Sequence, residues 1–210
     1  MQNCCRGYDA EIIISDCGSI DKTVQAAKNL NVKVVKCPCK GRAKQINWGA
    51  AEAVYYILYF VHADSIPPRS FCADIIATVN TGYEFGRYRT RFEGKKWFLK
   101  LNAFFTRFDW FMCYGGDQTL FITKSLFGKL NGYQESLLSM EEYDLVERAK
   151  QLAARYKIFS KAAIVSIRKY QTNSWLKVQR ANYKTVRLYK KGLTQPELVA
   201  QYKKALNDIK

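Results

Sequence analysis

A chain of 210 residues, 48% apolar and 25% charged, has the length for one good core and the composition of a globular protein, which excludes a disordered chain. Lys and Arg total 34 against 18 acids; this net charge of +16 favours anionic partners (phosphorylated substrates, acidic lipid headgroups or nucleic acid) without choosing among them. No apolar run reaches the roughly 18–20 residues needed to cross a bilayer. Met1-Gln2-Asn3-Cys4-Cys5-Arg6 has neither the basic start nor the apolar core of a signal peptide, and the seven cysteines lack zinc-like spacing, so reduced thiols in a cytoplasmic protein are expected.

Along the chain, Glu11 to Ile14 reads as a short buried strand, closed by the turn-rich Ser15-Asp16-Cys17-Gly18-Ser19. Ser19 is then expected to N-cap a helix through about Leu30. Val32 to Val35 predicts a second strand, and Gly41 to Ala53 a helix with Ala43, Asn47, Ala50 and Ala51 on one face. Ile57 to Val61 predicts a third strand, followed by His62-Ala63-Asp64, and Pro67-Pro68 opens another helix through about Thr78. Strands alternating with helices predict an α/β fold with a mostly parallel sheet covered on both faces. Asp16 and Asp64 each fall just after a strand, where open α/β sheets bind ligands.

The second half changes character. Phe85 to Phe92 reads as a strand with Arg87, Arg89 and Arg91 on one side. Trp97, Leu101, Phe104, Phe105, Phe108 and Met112 form an aromatic stripe at helical spacing, expected to be core. Gln118 to Thr123 and Ile158 to Ile167 are expected strands; Glu141 to Leu152, Trp175 to Tyr189 and Pro196 to Ile209 are expected helices. The helix from Trp175 mixes Leu176, Val178 and Val186 with Lys177, Arg180, Lys184, Arg187, Lys190 and Lys191. Such a helix either packs on the core with a solvated basic face or lies on an anionic membrane surface. No linker or repeat interrupts the chain, so one domain is expected over 1–210.

Four segments carry chemistry. In Asp16 to Thr23 an acid, a glycine and a helix start suit contact with a base or ribose, or simply a well-capped turn. In Gly41 to Asn47 the Asn47 amide lies on an alanine-lined helix face, so it needs partners from packing or from a ligand. Asp64 offers a carboxylate that can hold Mg²⁺ or Mn²⁺ beside His62, the one histidine, or the two form a satisfied polar pair. Glu141, Glu142 and Asp144 crowd a helix start, either favouring its dipole or supplying a general base.

Taken together, Asp16–Thr23, Gly41–Ala50, Val61–Ser65, Tyr114–Gln118 and Met140–Glu142 resemble, in order, the D-G-G-S-T-D, G-R-A-x-Q-x-N-x-G-A, L-H-A-D-T, Y-G-D-Q and M-E-D motifs of a bacterial subgroup of family 2 glycosyltransferases with the GT-A fold. The resemblance runs from about Glu11 to Tyr202. It implies a metal-assisted, inverting transfer of a sugar from a nucleotide-diphosphate donor to a glycan, lipid-linked or small-molecule acceptor. Asp16, Ser19, Arg42, Asn47 and His62 would bind the nucleotide, Asp64 the metal (Mn²⁺ or Mg²⁺), and Asp117 and Gln118 the sugar or acceptor. Glu142 would be the base, with Glu141 beside it. Residues 11–80 then form the nucleotide-binding half, 81–170 the acceptor and catalytic half, and 171–210 basic C-terminal helices. A role in making cell-envelope polysaccharide, at the inner face of the membrane, is expected.

The sequence departs from the family at Glu142, where Asp is usual, and before Glu11, where an apolar first strand is usual and Met1 to Ala10 are polar. A sheet lacking that strand is therefore expected. It motivates the alternative of a catalytically impaired relative; a basic nucleic-acid-binding protein is the third reading, disfavoured by the lack of any RNA-binding motif.

Overall fold

The computed structural model describes residues 1, 4–30, 32–94, 97–114 and 118–207. Two short strands, β1 (Ile13–Asp16) and β2 (Lys33–Lys36), pair in parallel around α1 (Thr23–Asn29). Then come α2 (Arg42–Ala51), β3 (Ile57–Phe60), β4 (Ser65–Ile66), α3 (Phe71–Asn80), β5 (Phe85–Phe92) and α4 (Trp97–Phe105). The chain continues through β6 (Leu120–Thr123), α5 (Lys124–Lys129), α6 (Glu141–Gln151), β7 (Tyr156–Val165), α7 (Lys169–Thr172), α8 (Trp175–Lys190) and α9 (Gln195–Ala205).

The main sheet has five strands in the order β3-β6-β5-β7-β4. The α/β class expected from the alternation is present, but the sheet is mixed. Only β1–β2 and β5–β7 are parallel; β3–β6, β5–β6 and β4–β7 run antiparallel. Period-two alternation sorts the side chains onto two cores. Leu58, Phe85, Leu120 and Ile122 face α2, α5 and α6, while Tyr88, Phe121 and Phe159 face Phe71, Cys72 and Ile75 of α3.

Among the described residues no backbone pairing joins β1 to β3. Helix α2 bridges them instead. Its Ala43 and Ala50 pack with Leu58 and Ile122, and its Gln45 amide donates to Ser15 O at 3.4 Å. Small residues permit this closeness: a Cβ on Gly49 would sit 3.4 Å from that of Ser15. At the other end of α2, Glu11 accepts from Val54 N at 2.6 Å and Lys33 pairs with Glu52 at 3.0 Å.

Two expectations change here. The aromatic stripe is not core: of its members, Trp97, Leu101, Phe104, Phe105 and Met112 are exposed. The opposite side of α4, with Phe98, Leu99 and Asn102, is the side that packs on Tyr170 and Trp175. Of the two readings of the basic helix, core packing is observed. Val178, Ala181, Thr185 and Val186 of α8 are buried, and its cations form the outer face.

Strand β5 is the centre of the sheet and its glycine is sterically required. A Cβ on Gly86 would lie 2.2 Å from Lys157 O and 2.6 Å from the Phe121 ring. Gly86→Ala is therefore expected to cost about 3 kcal/mol or more, because a backbone carbonyl cannot move aside. A urea midpoint unchanged from wild type would contradict this packing.

Candidate active site

The site forms where β1, β2 and β3 end. At the end of β1, Asp16 is buried and closes the turn that follows: Oδ2 accepts from Gly18 N at 2.9 Å and Ser19 N at 3.1 Å, and Oδ1 from the Ser19 hydroxyl. Ser19 is thus not the helix cap. Its hydroxyl is spent on Asp16, and the helix starts later, at Thr23, whose N–H donates to Asp21 at 3.0 Å. The Ser19 hydroxyl is the main reason the Asp16 carboxyl lies below its ordinary value; the Ser19 and Gly18 amides and the charge of Lys36 act in the same sense against a smaller opposing effect of burial.

After β2, Gly41 takes φ 139°, a conformation L residues avoid, and sends the chain into α2 with Arg42 at its first turn. After β3 comes His62, in a tight turn in which Ser65 N donates to His62 O at 3.0 Å. From the far half of the chain, α6 begins at Met140, itself left-handed at φ 68°, and presents Glu141 and Glu142 in its first turn. Both glutamates are buried, at 3% and 7% exposure.

These elements bring four side chains together. Arg42 pairs with Glu142 through Nη2 and reaches Glu141 Oε1 at 3.3 Å through Nε. Arg42 Nη2 also donates to His62 Nε2 at 2.7 Å, and His62 Nε2 lies 3.6 Å from Glu142. A guanidinium only donates, so His62 accepts at Nε2, and in its neutral form carries its proton on Nδ1. Two buried carboxylates at a helix start are favoured by the backbone N–H dipoles there, and the guanidinium supplies the countercharge.

The other expected residues are placed as follows. Asn47 is half-buried and its amide is engaged: Nδ2 donates to Tyr133 O at 2.8 Å and Oδ1 accepts from Tyr133 N at 2.9 Å, tying α2 to the loop before α6. Gln118 donates to Cys113 O at 2.5 Å. Asp117 lies outside the described residues. Asp64 is exposed at the corner of its turn. Among the described residues no group of three His, Cys, Asp or Glu side chains is arranged to hold a metal. A single open carboxylate fits a divalent ion only if phosphate oxygens and water complete the shell.

Sequence reasoning missed the support behind α6. Asp144, counted among the acids, does not face the cluster; it binds Arg148 at 2.6 Å, which donates to Leu130 O at 2.5 Å and Gly132 O at 2.9 Å. The signal was the Asn131-Gly132 pair, both left-handed, at φ 53° and 67°. Gly132 has no room for a Cβ, which would sit 2.6 Å from Asn47 Oδ1.

Residues 2–133 match the glycosyl transferase family 2 profile, more than half of the chain, and the protein belongs to that family. No curated protein sequence matches the chain. The fold is similar to that of S. aureus TarS 1-349 in complex with UDP (TM-score 0.60, 17% identity, 75% of this chain and 51% of that one). It is similar also to the mannosyltransferase PcManGT from Pyrobaculum calidifontis in complex with GDP-Man and Mn²⁺ (TM-score 0.62, 13% identity, 91% and 59%). A third similar structure is glucosyl-3-phosphoglycerate synthase from Mycobacterium tuberculosis with Mn²⁺, UDP and glucosyl-3-phosphoglycerate (TM-score 0.56, 16% identity, 85% and 66%). The chain spans about half the length of the first of these. The fold is that of the GT-A glycosyltransferases.

Two predictions follow from the geometry. Arg42→Met leaves Glu141 and Glu142 buried without their cation, and should lower stability at pH 7 by about 1–3 kcal/mol, less than for a fully buried pair because Arg42 is partly exposed. Adding Glu142→Gln should restore part of the loss in urea unfolding, and strict additivity would argue against the pair. Asp16, with its lowered carboxyl, contributes stability that is present above the ordinary carboxylate range and lost as pH falls through the lowered folded value. Asp16→Asn should therefore destabilise at pH 7 and flatten the loss of stability below about pH 4; an unchanged acid limb in a pH series of urea midpoints would refute it.

Proposed function

We propose that the protein transfers a sugar from a nucleoside-diphosphate donor to an acceptor hydroxyl, with inversion by direct displacement. The observation that carries this reading is the convergence of Arg42, His62, Glu141 and Glu142 from three separate segments at the carboxyl ends of the strands. Family membership and the fold supply the reaction class.

In this reading Asp16 and the Ser19 turn meet the base or ribose, and Arg42 meets the diphosphate. Asn47 acts from behind, by fixing α2. Asp64, with donor phosphate oxygens, would hold Mn²⁺ or Mg²⁺, which would offset charge on the leaving diphosphate. Gln118 and Asp117 line the sugar or acceptor side. Glu142 accepts the proton of the acceptor hydroxyl as its oxygen bonds to the anomeric carbon; the carbon–oxygen bond to diphosphate breaks, and the electron pair leaves on the diphosphate. Glu141 stays paired with Arg42 Nε.

The Arg42–Glu142 contact adds an order of events. While it persists, the guanidinium occupies the carboxylate oxygen that would otherwise face an acceptor hydroxyl. A diphosphate beside Arg42 competes for the same guanidinium, with charge-assisted hydrogen bonds of its own. Donor binding then releases Glu142, so the base becomes available only when there is a sugar to transfer. The acceptor is a glycan, a lipid-linked sugar or a small molecule; work on envelope glycans at the inner face of the membrane suits such an acceptor. The second reading, an impaired relative with the fold but weak donor binding, is favoured by the lack of pairing between β1–β2 and the main sheet among the described residues.

A thermal-shift titration with UDP, GDP, CDP and dTDP, each with and without Mn²⁺, separates the two. A nucleotide at about 100 times its Kd stabilises by roughly 2.7 kcal/mol, or roughly 5–11 °C for a domain of this size. The transferase reading expects one nucleotide to give a Mn²⁺-dependent shift that Asp64→Ala abolishes and Glu142→Gln retains. Transfer itself should fall about 10²–10⁴-fold in Glu142→Gln. No shift with any nucleotide makes the impaired relative the better account.

A further inference from the structure

Helix α4 is apolar on both sides, and among the described residues only one side is covered. Phe98, Leu99 and Asn102 pack against α7 and α8. On the other side Trp97 is 76% exposed, and Leu101, Phe104 and Phe105 follow it at helical spacing, all exposed. The chain beyond the helix extends the same surface. Phe104 and Phe108 lie 5.6 Å apart by ring centroid, Phe105 and Trp110 5.9 Å, and Phe108 and Trp110 4.7 Å, with Trp110 53% exposed. Isolated exposed apolar residues are ordinary; a contiguous aromatic face of this kind marks a surface that another body covers.

The face is held firmly. Arg87, buried in β5, donates to Tyr156 Oη at 2.6 Å, to Thr106 O at 2.8 Å and to Phe108 O at 3.0 Å, so its guanidinium anchors the backbone just where α4 ends. Thr90 N donates to Thr106 Oγ1 at 3.0 Å. The aromatic rings are therefore presented on a fixed backbone.

Its charges are cationic. Lys100 and Arg107 are exposed within the patch, Arg107 stacked 4.0 Å over the Phe104 ring. The one acid between Trp97 and Cys113, Asp109, is engaged by Lys150 and by the Tyr114 hydroxyl. A second copy of the chain would bring another +16 against this surface, and repulsion opposes it. Tryptophan and phenylalanine interleaved with cations are the residues that settle at the headgroup boundary of a negatively charged bilayer.

We propose that the outer face of α4 and the loop after it, with Trp97, Leu101, Phe104, Phe105 and Trp110 at its centre, docks on an anionic lipid bilayer. The basic face of α8 is then a solvated surface rather than the membrane contact. The proposal is independent of the transferase reading, because it concerns a surface and requires no turnover.

The test is co-sedimentation of the full chain with sucrose-loaded vesicles of phosphatidylcholine, with and without about one third phosphatidylglycerol, at low and physiological salt. Binding is expected to the anionic vesicles, weaker as salt rises. Phe104→Ser with Trp110→Ser should reduce it at least tenfold, whereas Arg180→Glu with Lys184→Glu on α8 should leave most of it. Trp97→Phe with Trp110→Phe should keep binding but lose the tryptophan quenching by brominated acyl chains that wild type shows, a readout that survives if the serine variant fails to fold. Three results overturn the proposal: no binding at low salt, binding abolished by the α8 reversal but not by the serine variant, or a wild-type dimer that the serine variant dissociates. The nucleotide-dependent thermal shift, read on the same variants, distinguishes failure here from failure of the transferase reading.

Discussion

Two adjacent buried glutamates at the start of a helix need a countercharge, and the site depends on how the chain supplies it. Glu141 and Glu142 receive some stabilisation from the α6 N-terminus. The countercharge comes from Arg42, about a hundred residues earlier, whose guanidinium touches both carboxylates and the His62 ring. Everything that positions Arg42 therefore positions the site. Gly41 starts α2 at a backbone angle closed to other residues, Ala43 and Ala50 let α2 lie flat on the sheet, and Asn47 fastens it to Tyr133. Arg148 and Asp144 brace the same loop from the α6 side. Arg42 is also partly open to solvent, so in the proposed mechanism it can exchange a carboxylate for a diphosphate.

Much of this was legible in the sequence. Strands and helices lie within a few residues of where the alternation put them, because each has a clear apolar period and a turn at its end. Arg42, His62, Glu141 and Glu142 were all candidates, and they meet. Their pairing with one another was not legible, since sequence shows which residues carry charge and not that a cation and an acid a hundred positions apart form one ion pair. Ser19 shows the limit of local rules. A serine before a helix ordinarily caps it, but here a neighbouring carboxylate, Asp16, takes the hydroxyl first. The mixed sheet was not legible either: β3, β5 and β7 share one direction, but a short apolar run such as Leu120–Thr123 packs equally well in either orientation, so composition could not reveal that β6 returns antiparallel.

The aromatic stripe from Trp97 to Met112 was the largest error, and an informative one. Periodicity finds an apolar face but not what that face meets. Both faces of α4 are apolar, and among the described residues the Phe98–Leu99 side is the one that packs on the core. The exposed side lies next to Phe111, whose ring is 4.9 Å from Tyr143, the residue after Glu142. Surface and site are thus parts of one continuous structure, held by Arg87 on one side and by the start of α6 on the other.

The central claim is that Arg42 guards Glu142 until a donor diphosphate arrives. A crystal structure of the chain with the stabilising nucleoside diphosphate and Mn²⁺, set beside one without them, tests it most directly. The account predicts the diphosphate between Arg42 and Asp64, with Arg42 turned to the phosphate and the Glu142 carboxylate facing open space. A nucleotide bound elsewhere, or Arg42 still paired with Glu142 beside a bound diphosphate, would contradict it.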